Sequence, residues 1–192
     1  MTVAPAFNAP VFDAAYAFRA ILAAMSRPGS VHELPVPPDP PAPLSPALAA
    51  VLLTLCDFDT PLWLAPSYGE AVTLWCDFHT GAPRAKTPAE ASFAFAPLAE
   101  APLLSVFAAV TDERPDRSAT LVIGCESLGG EDVMLTGPGI DGQLPFASDA
   151  LKPQFLDAWR DNGRSYPRGV DVILGAGSAV AALPRTTRIE VR

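Results

Sequence analysis

The sequence predicts an α/β domain of three layers with a mixed central sheet, and three observations carry that prediction. Segments with the 3.6-residue period of helices interleave with short apolar or alternating segments, a pattern that favours layered α/β packing over an all-β sandwich. The 192 residues suit a single domain, 1–192, that buries a sizeable core without metal or disulfide staples. Apolar residues make up 49 % and charged residues 18 %, yet no uninterrupted apolar run reaches the roughly 18 residues of a membrane span. There is no internal repeat.

Asp13 is placed to cap a first helix over 14–25, with Phe18, Ile21, Leu22 and Met25 at i, i+3, i+4 and i+7 as its buried face. Ser26-Arg27-Pro28-Gly29-Ser30 ends it, because Pro28 disfavours helix at Arg27 and Gly29 turns readily. A short strand is predicted over 31–34. Residues 35–46, PVPPDPPAPLSP, read as an extended surface strap, and the chain before them is too short to form its own core. Ser45 as cap and Pro46 at the first helical position open a second helix to about Leu55, burying Leu48, Val51, Leu52 and Leu55. Strands are expected at 61–65 and 71–78, the latter because Val72, Leu74, Cys76 and Phe78 alternate with Thr73, Trp75 and Asp77. Further strands are expected at 92–95, 119–125, 133–135, 170–174 and 187–191, with helices near 103–109 and 149–162.

A net charge of −8 with no basic run argues against sequence-independent nucleic-acid binding, which requires many cations against phosphate. Lysine occurs only at Lys86 and Lys152, so candidates for a Schiff base are scarce. Cys56, Cys76 and Cys125 are odd in number, widely spaced and set in apolar segments, as suits reduced core thiols of a cytoplasmic protein. The start MTVAPAFNAPVFD lacks the basic residues and long apolar core of a secretory signal, so export is not expected. Much apolar sequence with little charge also predicts a surface partly covered by another subunit.

Several residues invite a chemical reading. The loop Thr136-Gly137-Pro138-Gly139-Ile140 follows the apolar run 133–135 and has the glycines of an anion cradle, but Pro138 has no N–H to donate and Asp141 repels phosphate. A rigid strand-end turn accounts for Gly137, Pro138 and Gly139 better. His79, one of only two histidines, is a candidate ligand or subunit contact, against which stands a structural histidine bonded to a carbonyl. Cys76 and His79 as a C-x-x-H metal pair would point to opposite faces of a strand, and no second ligand pair exists; no metal is expected. Asp57 and Asp59 fit helix termination and a turn better than acid–base chemistry. Ser118 lies outside any nucleophile-elbow pattern. Arg114, Arg117 and Arg185 are the remaining candidates for ligand or subunit contact, since guanidinium forks hold carboxylates, phosphates or a partner's backbone; Asp112, Glu113 and Asp116 are alternative structural partners.

Seven segments in order, FRAILAAMSRPGSV at 18–31, LTLCDFDTPLWL at 53–64, FHTGAP at 78–83, RPDRSATLVIG at 114–124, LTGPGI at 135–140, YPRGVDVIL at 166–174 and ALPRTT at 182–187, together resemble the PhnH family over nearly the whole chain. The resemblance departs mildly in the proline-rich strap and in Arg168, where an apolar residue is expected. It implies a subunit of the bacterial carbon–phosphorus lyase system, with a fold like the large domain of pyridoxal-phosphate-dependent transferases but no bound cofactor. It implies work with PhnG, PhnI and PhnL in replacing the base of a nucleoside triphosphate by a phosphonate, giving α-D-ribose 1-methylphosphonate 5-triphosphate from ATP, with the nucleosidase-type step on PhnI. Membership of a core complex with PhnJ, and a homodimer when alone, are also implied; no catalytic residue is carried over. An independent enzyme with a cleft lined by His79 and arginines, and a small-anion or nucleotide-binding module, are the alternative functions.

Overall fold

The computed structural model describes residues 6–107 and 118–192. Helix α1, Pro10–Ser26, begins a turn earlier than its periodicity suggests, with Pro10 at the first helical position. Asp13 is therefore not its cap. From the first turn Asp13 Oδ2 accepts the Ala9 N–H at 2.8 Å, a reach-back contact to the N-cap from one position beyond that of a capping box. The buried face is also rotated from the expected one: Asp13, Ala17, Ile21 and Ala24 face inward, while Phe18 and Leu22 are exposed. Alanines at the contact let the helix lie close against its neighbours, which Phe18 and Leu22 would hold off.

A short strand β1, His32–Glu33, leads into the proline strap, which runs without regular structure to Ser45. The Ser45 hydroxyl then accepts the Leu48 N–H at 3.3 Å, and Pro46 opens α2, Pro46–Leu55, as the sequence predicts. Helix α2 is apolar on every side and almost wholly buried. It lies directly on the sheet: a Cβ on Gly175 would fall 2.6 Å from a Leu48 methyl.

Strand β2 is Leu62–Leu64. The segment expected as a strand at 71–78 is instead helix α3, Gly69–Thr80. Its alternation is coincidental, for the buried side chains Val72, Trp75 and Cys76 follow the helical period and Leu74 and Phe78 are exposed. Gly81, with φ of 64°, closes α3 in the left-handed conformation. Strands β3, Phe93–Pro97, and β4, Thr120–Gly124, follow; the helix expected near 103–109 is only a 3₁₀ turn at Leu104–Val106, and 108–109 lie outside the described residues. Next come β5, Leu128–Thr136, β6, Leu144–Ser148, and α4, Pro153–Arg164, which starts later than expected because Pro153 takes its first position. Strands β7, Asp171–Ala176, β8, Ala179–Leu183, and β9, Arg188–Val191, complete the chain.

The central sheet is mixed, in the order β1-β8-β7-β4-β3-β2, with β2, β3, β4 and β7 mutually parallel, β8 antiparallel to β7, and β1 antiparallel to β8. A second, antiparallel sheet has the order β6-β5-β9. Successive side chains of the central strands divide between two cores. Val122, Ile173 and Ala182 face α1, α2 and α3, while Leu121, Ile123, Val172 and Leu174 face β5, β6 and α4. The three layers are thus helices, mixed sheet, and a small sheet flanked by one helix.

Candidate functional site

Arg185 follows β8 one residue beyond the position opposite Asp171, the first residue of β7, because β7 and β8 pair antiparallel with Val172 against Leu183. Its Nη2 is 2.5 Å from Asp171 Oδ2, its backbone N–H donates to Asp171 Oδ1 at 2.7 Å, and Nη1 donates to Ser118 Oγ and the Pro167 carbonyl. Both side chains are largely buried, 14 % and 15 % exposed, so this pair is a fixed part of the wall. Pro184 O accepts the Thr187 N–H at 2.8 Å, and Trp159 Nε1 donates to Thr187 O at 2.9 Å, tying the segment to α4.

Between α4 and residues 185–190 lies a cleft of about 610 Å³. Arg160 and Arg164, one turn apart on α4, line one side, and Arg185 and Arg188 the other. Leu156, Trp159 and Ile189 supply apolar surface, and Tyr166 stands in its wall. Arg160 pairs with Asp157 at 2.9 Å and Arg164 with Asp161 at 2.7 Å, both exposed i, i+3 contacts of small worth. Arg188 is exposed and has no ion-pair partner among the described residues. Thr187 is 3 % exposed, and its Oγ1 is buried without a hydrogen-bond partner among the described residues.

The 137–139 loop borders the cleft through Pro138. Gly137, with φ of 134°, lies so close to the Thr186 carbonyl that a Cβ would come within 3.0 Å of it. Gly139, with φ of 84°, faces the Ser26 carbonyl so tightly that any side chain would collide with it and with Pro28. The loop is a strand-end turn that binds other parts of the chain. Gly29 in turn faces Leu135 and Leu144 and donates its N–H to Ala182 O at 3.2 Å. Segments 26–30, 135–140, 166–171 and 184–188 therefore meet at one corner.

His79 does not join them. It lies in the last turn of α3 on the opposite face of the central sheet, its ring edge-on to Trp75 and Phe78 at 4.9 and 5.0 Å. A single cleft lined by both His79 and Arg185 is not formed. Because 76 and 79 are helical, Cys76 and His79 share a face, contrary to the strand geometry expected from sequence. Among the described residues no three metal-ligating side chains come together. Arg114 and Arg117 lie outside the described residues. Asp57 Oδ1 accepts the Asp59 N–H at 2.9 Å in the turn that ends α2. Arg160, Arg164 and Arg188 escaped sequence reasoning, although the four-residue spacing of the first two was a visible signal.

A second cavity of about 510 Å³ opens at the carboxyl ends of β3 and β4, where ligands of open α/β sheets commonly bind. Ser45, Tyr68, Cys125, Glu126 and Asp149 line it, and among the described residues no Lys or Arg does. Asp149 accepts the Glu126 and Ser127 N–H groups at 3.1 and 3.2 Å and anchors the loop. Burial pushes the Cys125 thiol up to about 11, so it is neutral at pH 7 and a poor nucleophile. The cationic chemistry lies instead at the amino-terminal end of β7.

No helix among the described residues is long and apolar enough to cross a membrane. Residues 5–190 match the family described as bacterial phosphonate metabolism protein (PhnH). The chain is 45 % identical over 188 residues to the α-D-ribose 1-methylphosphonate 5-triphosphate synthase subunit PhnH of Rhizobium meliloti (strain 1021), covering 96 % of this chain and 94 % of that one. It is also 36 % identical over 81 residues to a putative C-P lyase subunit protein, HtxG, of Stutzerimonas stutzeri, covering 42 % of each.

Proposed function

The chain belongs to the PhnH family, and from that premise we propose that it is a subunit of the carbon–phosphorus lyase core complex. In it the chain supports transfer of a phosphonate onto the ribose of a nucleoside triphosphate, with release of the base. The observation that carries this reading is the likeness, over 96 % of the chain, to a subunit of α-D-ribose 1-methylphosphonate 5-triphosphate synthase. PhnG-, PhnI-, PhnJ- and PhnL-type subunits are its partners, the isolated chain is a homodimer, and the assembly works in the cytoplasm. The exposed Val11, Phe12, Phe18 and Leu22 of α1 fit a chain that other subunits cover in part. The fold is read as kin to the large domain of pyridoxal-phosphate-dependent transferases without the cofactor. Lys86 and Lys152 are both exposed, and neither lines either cavity described above, which supports that reading.

Reconstitution tests the assignment. The purified chain alone should not turn over ATP with methylphosphonate, whereas adding it to PhnG-, PhnI- and PhnL-type partners should restore turnover that they lack without it. Robust activity of the chain alone would refute a supporting role. The arginine cleft favours a second reading within the same assembly, a small-anion or nucleotide-binding module.

A further inference from the structure

We propose that the cleft between α4 and residues 185–190 binds the polyphosphate chain of a nucleotide through Arg160, Arg164 and Arg188. The choice of a polyphosphate among anions rests on the subunit reading above; the cationic character of the site rests on the cleft itself. In a chain of net charge −8, four arginines line this one cavity. Its volume, about 610 Å³, falls within the range of small-molecule sites.

The four guanidiniums divide into two kinds. Arg185 is locked by Asp171, Ser118 and Pro167, so it fixes the shape of the wall and contributes little free charge. Among the described residues, Arg160 and Arg164 are held by exposed aspartates on their own helix, contacts that a multiply charged ligand displaces at small cost. Their spacing of four residues sets their backbones about 6 Å apart along the helix axis, which lets two guanidiniums reach different phosphoryl groups of one chain. Arg188 faces them from β9 with no ion-pair partner among the described residues, and it supplies the uncompensated charge. The C-terminal half of α4 presents no free N–H groups to an anion, so guanidiniums have to supply the attraction. Thr187 lies in the same wall, its Oγ1 buried without a hydrogen-bond partner among the described residues. Glu190 also lines the cleft and bounds the cationic surface.

Calorimetric titration of the full chain with inorganic triphosphate, ATP and adenosine tests the inference. Triphosphate and ATP are expected to bind with affinities within about tenfold of each other, and adenosine is expected to give no heat. The R160Q/R164Q/R188Q variant should lose at least about tenfold in affinity for both anions, while Arg19→Gln, the loss of one charge outside the cleft and the match in charge for Arg188→Gln, should bind as the parent. Should the triple variant fail to fold, Arg188→Gln removes an exposed guanidinium from an edge strand and should weaken triphosphate binding severalfold. Absence of triphosphate binding at millimolar ligand, or equal binding by the variants, would overturn the proposal. So would loss of partner assembly with triphosphate affinity unchanged, which would give the cleft to an acidic protein segment. The two readings fail differently: if the subunit assignment is wrong, reconstituted turnover does not depend on this chain at all. If only the cleft is misassigned, turnover depends on the chain but its KM for ATP is the same with the R160Q/R164Q/R188Q variant.

Discussion

Asn162 grips both backbone groups of Val170: its Nδ2 donates to the carbonyl at 2.9 Å, and its Oδ1 accepts the N–H at 2.7 Å, all of it buried. Asn162→Ala would leave two buried groups without partners, and urea unfolding should show a loss of about 2–4 kcal/mol. Nothing in the sequence marked this residue, because its worth depends on a chain segment brought back by the YPRG turn. The thiols were legible as core residues, and the structure gives them a pH signature. Burial pushes Cys56 up to about 12 and Cys76 to about 11 from an ordinary 9.0. Their folded values exceed the unfolded ones, so the neutral thiols stabilise fully below pH 9 and lose that contribution as pH rises from 9 toward 12. Unfolding free energy should therefore be level between pH 7.5 and 8.5 as far as these groups govern it and decline above 9, with a smaller decline in a C56A/C76A double variant.

Helices α1 and α3 show where element-level reading succeeds and where it slips. The presence of α1 was legible from its apolar spacing and the proline–glycine stop; its orientation was not, since Phe18 and Leu22 share the periodicity of the buried residues. Packing chose the narrow alanine face. Leu22, 54 % exposed, should therefore tolerate serine within about 0.5 kcal/mol in urea unfolding. Ile21→Ala, one position away, should cost 2–5 kcal/mol, roughly the loss of a buried aliphatic side chain. Helix α3 was misread because a twelve-residue stretch with apolar residues on several faces satisfies both periods, and the Gly81 stop alone did not arbitrate. Strand β6 went unnoticed because Pro145 interrupts it, which an edge strand permits. Helix α2, by contrast, carries its own start signal in Ser45-Pro46 and forms where local chemistry puts it.

At the scale of the molecule, the mixed sheet and its layering were readable from the alternation of elements, whereas the second sheet and the arginine cleft depend on pairings between distant segments. Arg185 was singled out from sequence, yet its partners Asp171, Ser118 and Pro167 come from three different parts of the chain. The corner where residues 26–30 meet 135–140 holds the helical layer to the small sheet. Gly139→Val, at positive φ and against the Ser26 carbonyl, should cost about 3 kcal/mol in urea unfolding and weaken assembly with partner subunits. Selective loss of triphosphate binding with stability intact would instead make the loop part of the ligand site.

That corner also sets a schedule for synthesis. Ser26 leaves the ribosome long before Gly139 exists, and at roughly 5–20 residues per second the interval is on the order of ten seconds. Throughout it the end of α1 lacks its final neighbour, the turn that packs against the Ser26 carbonyl. The nascent protein passes through this interval before its second sheet can close the corner, so the order in which its layers join is written into the order of its segments.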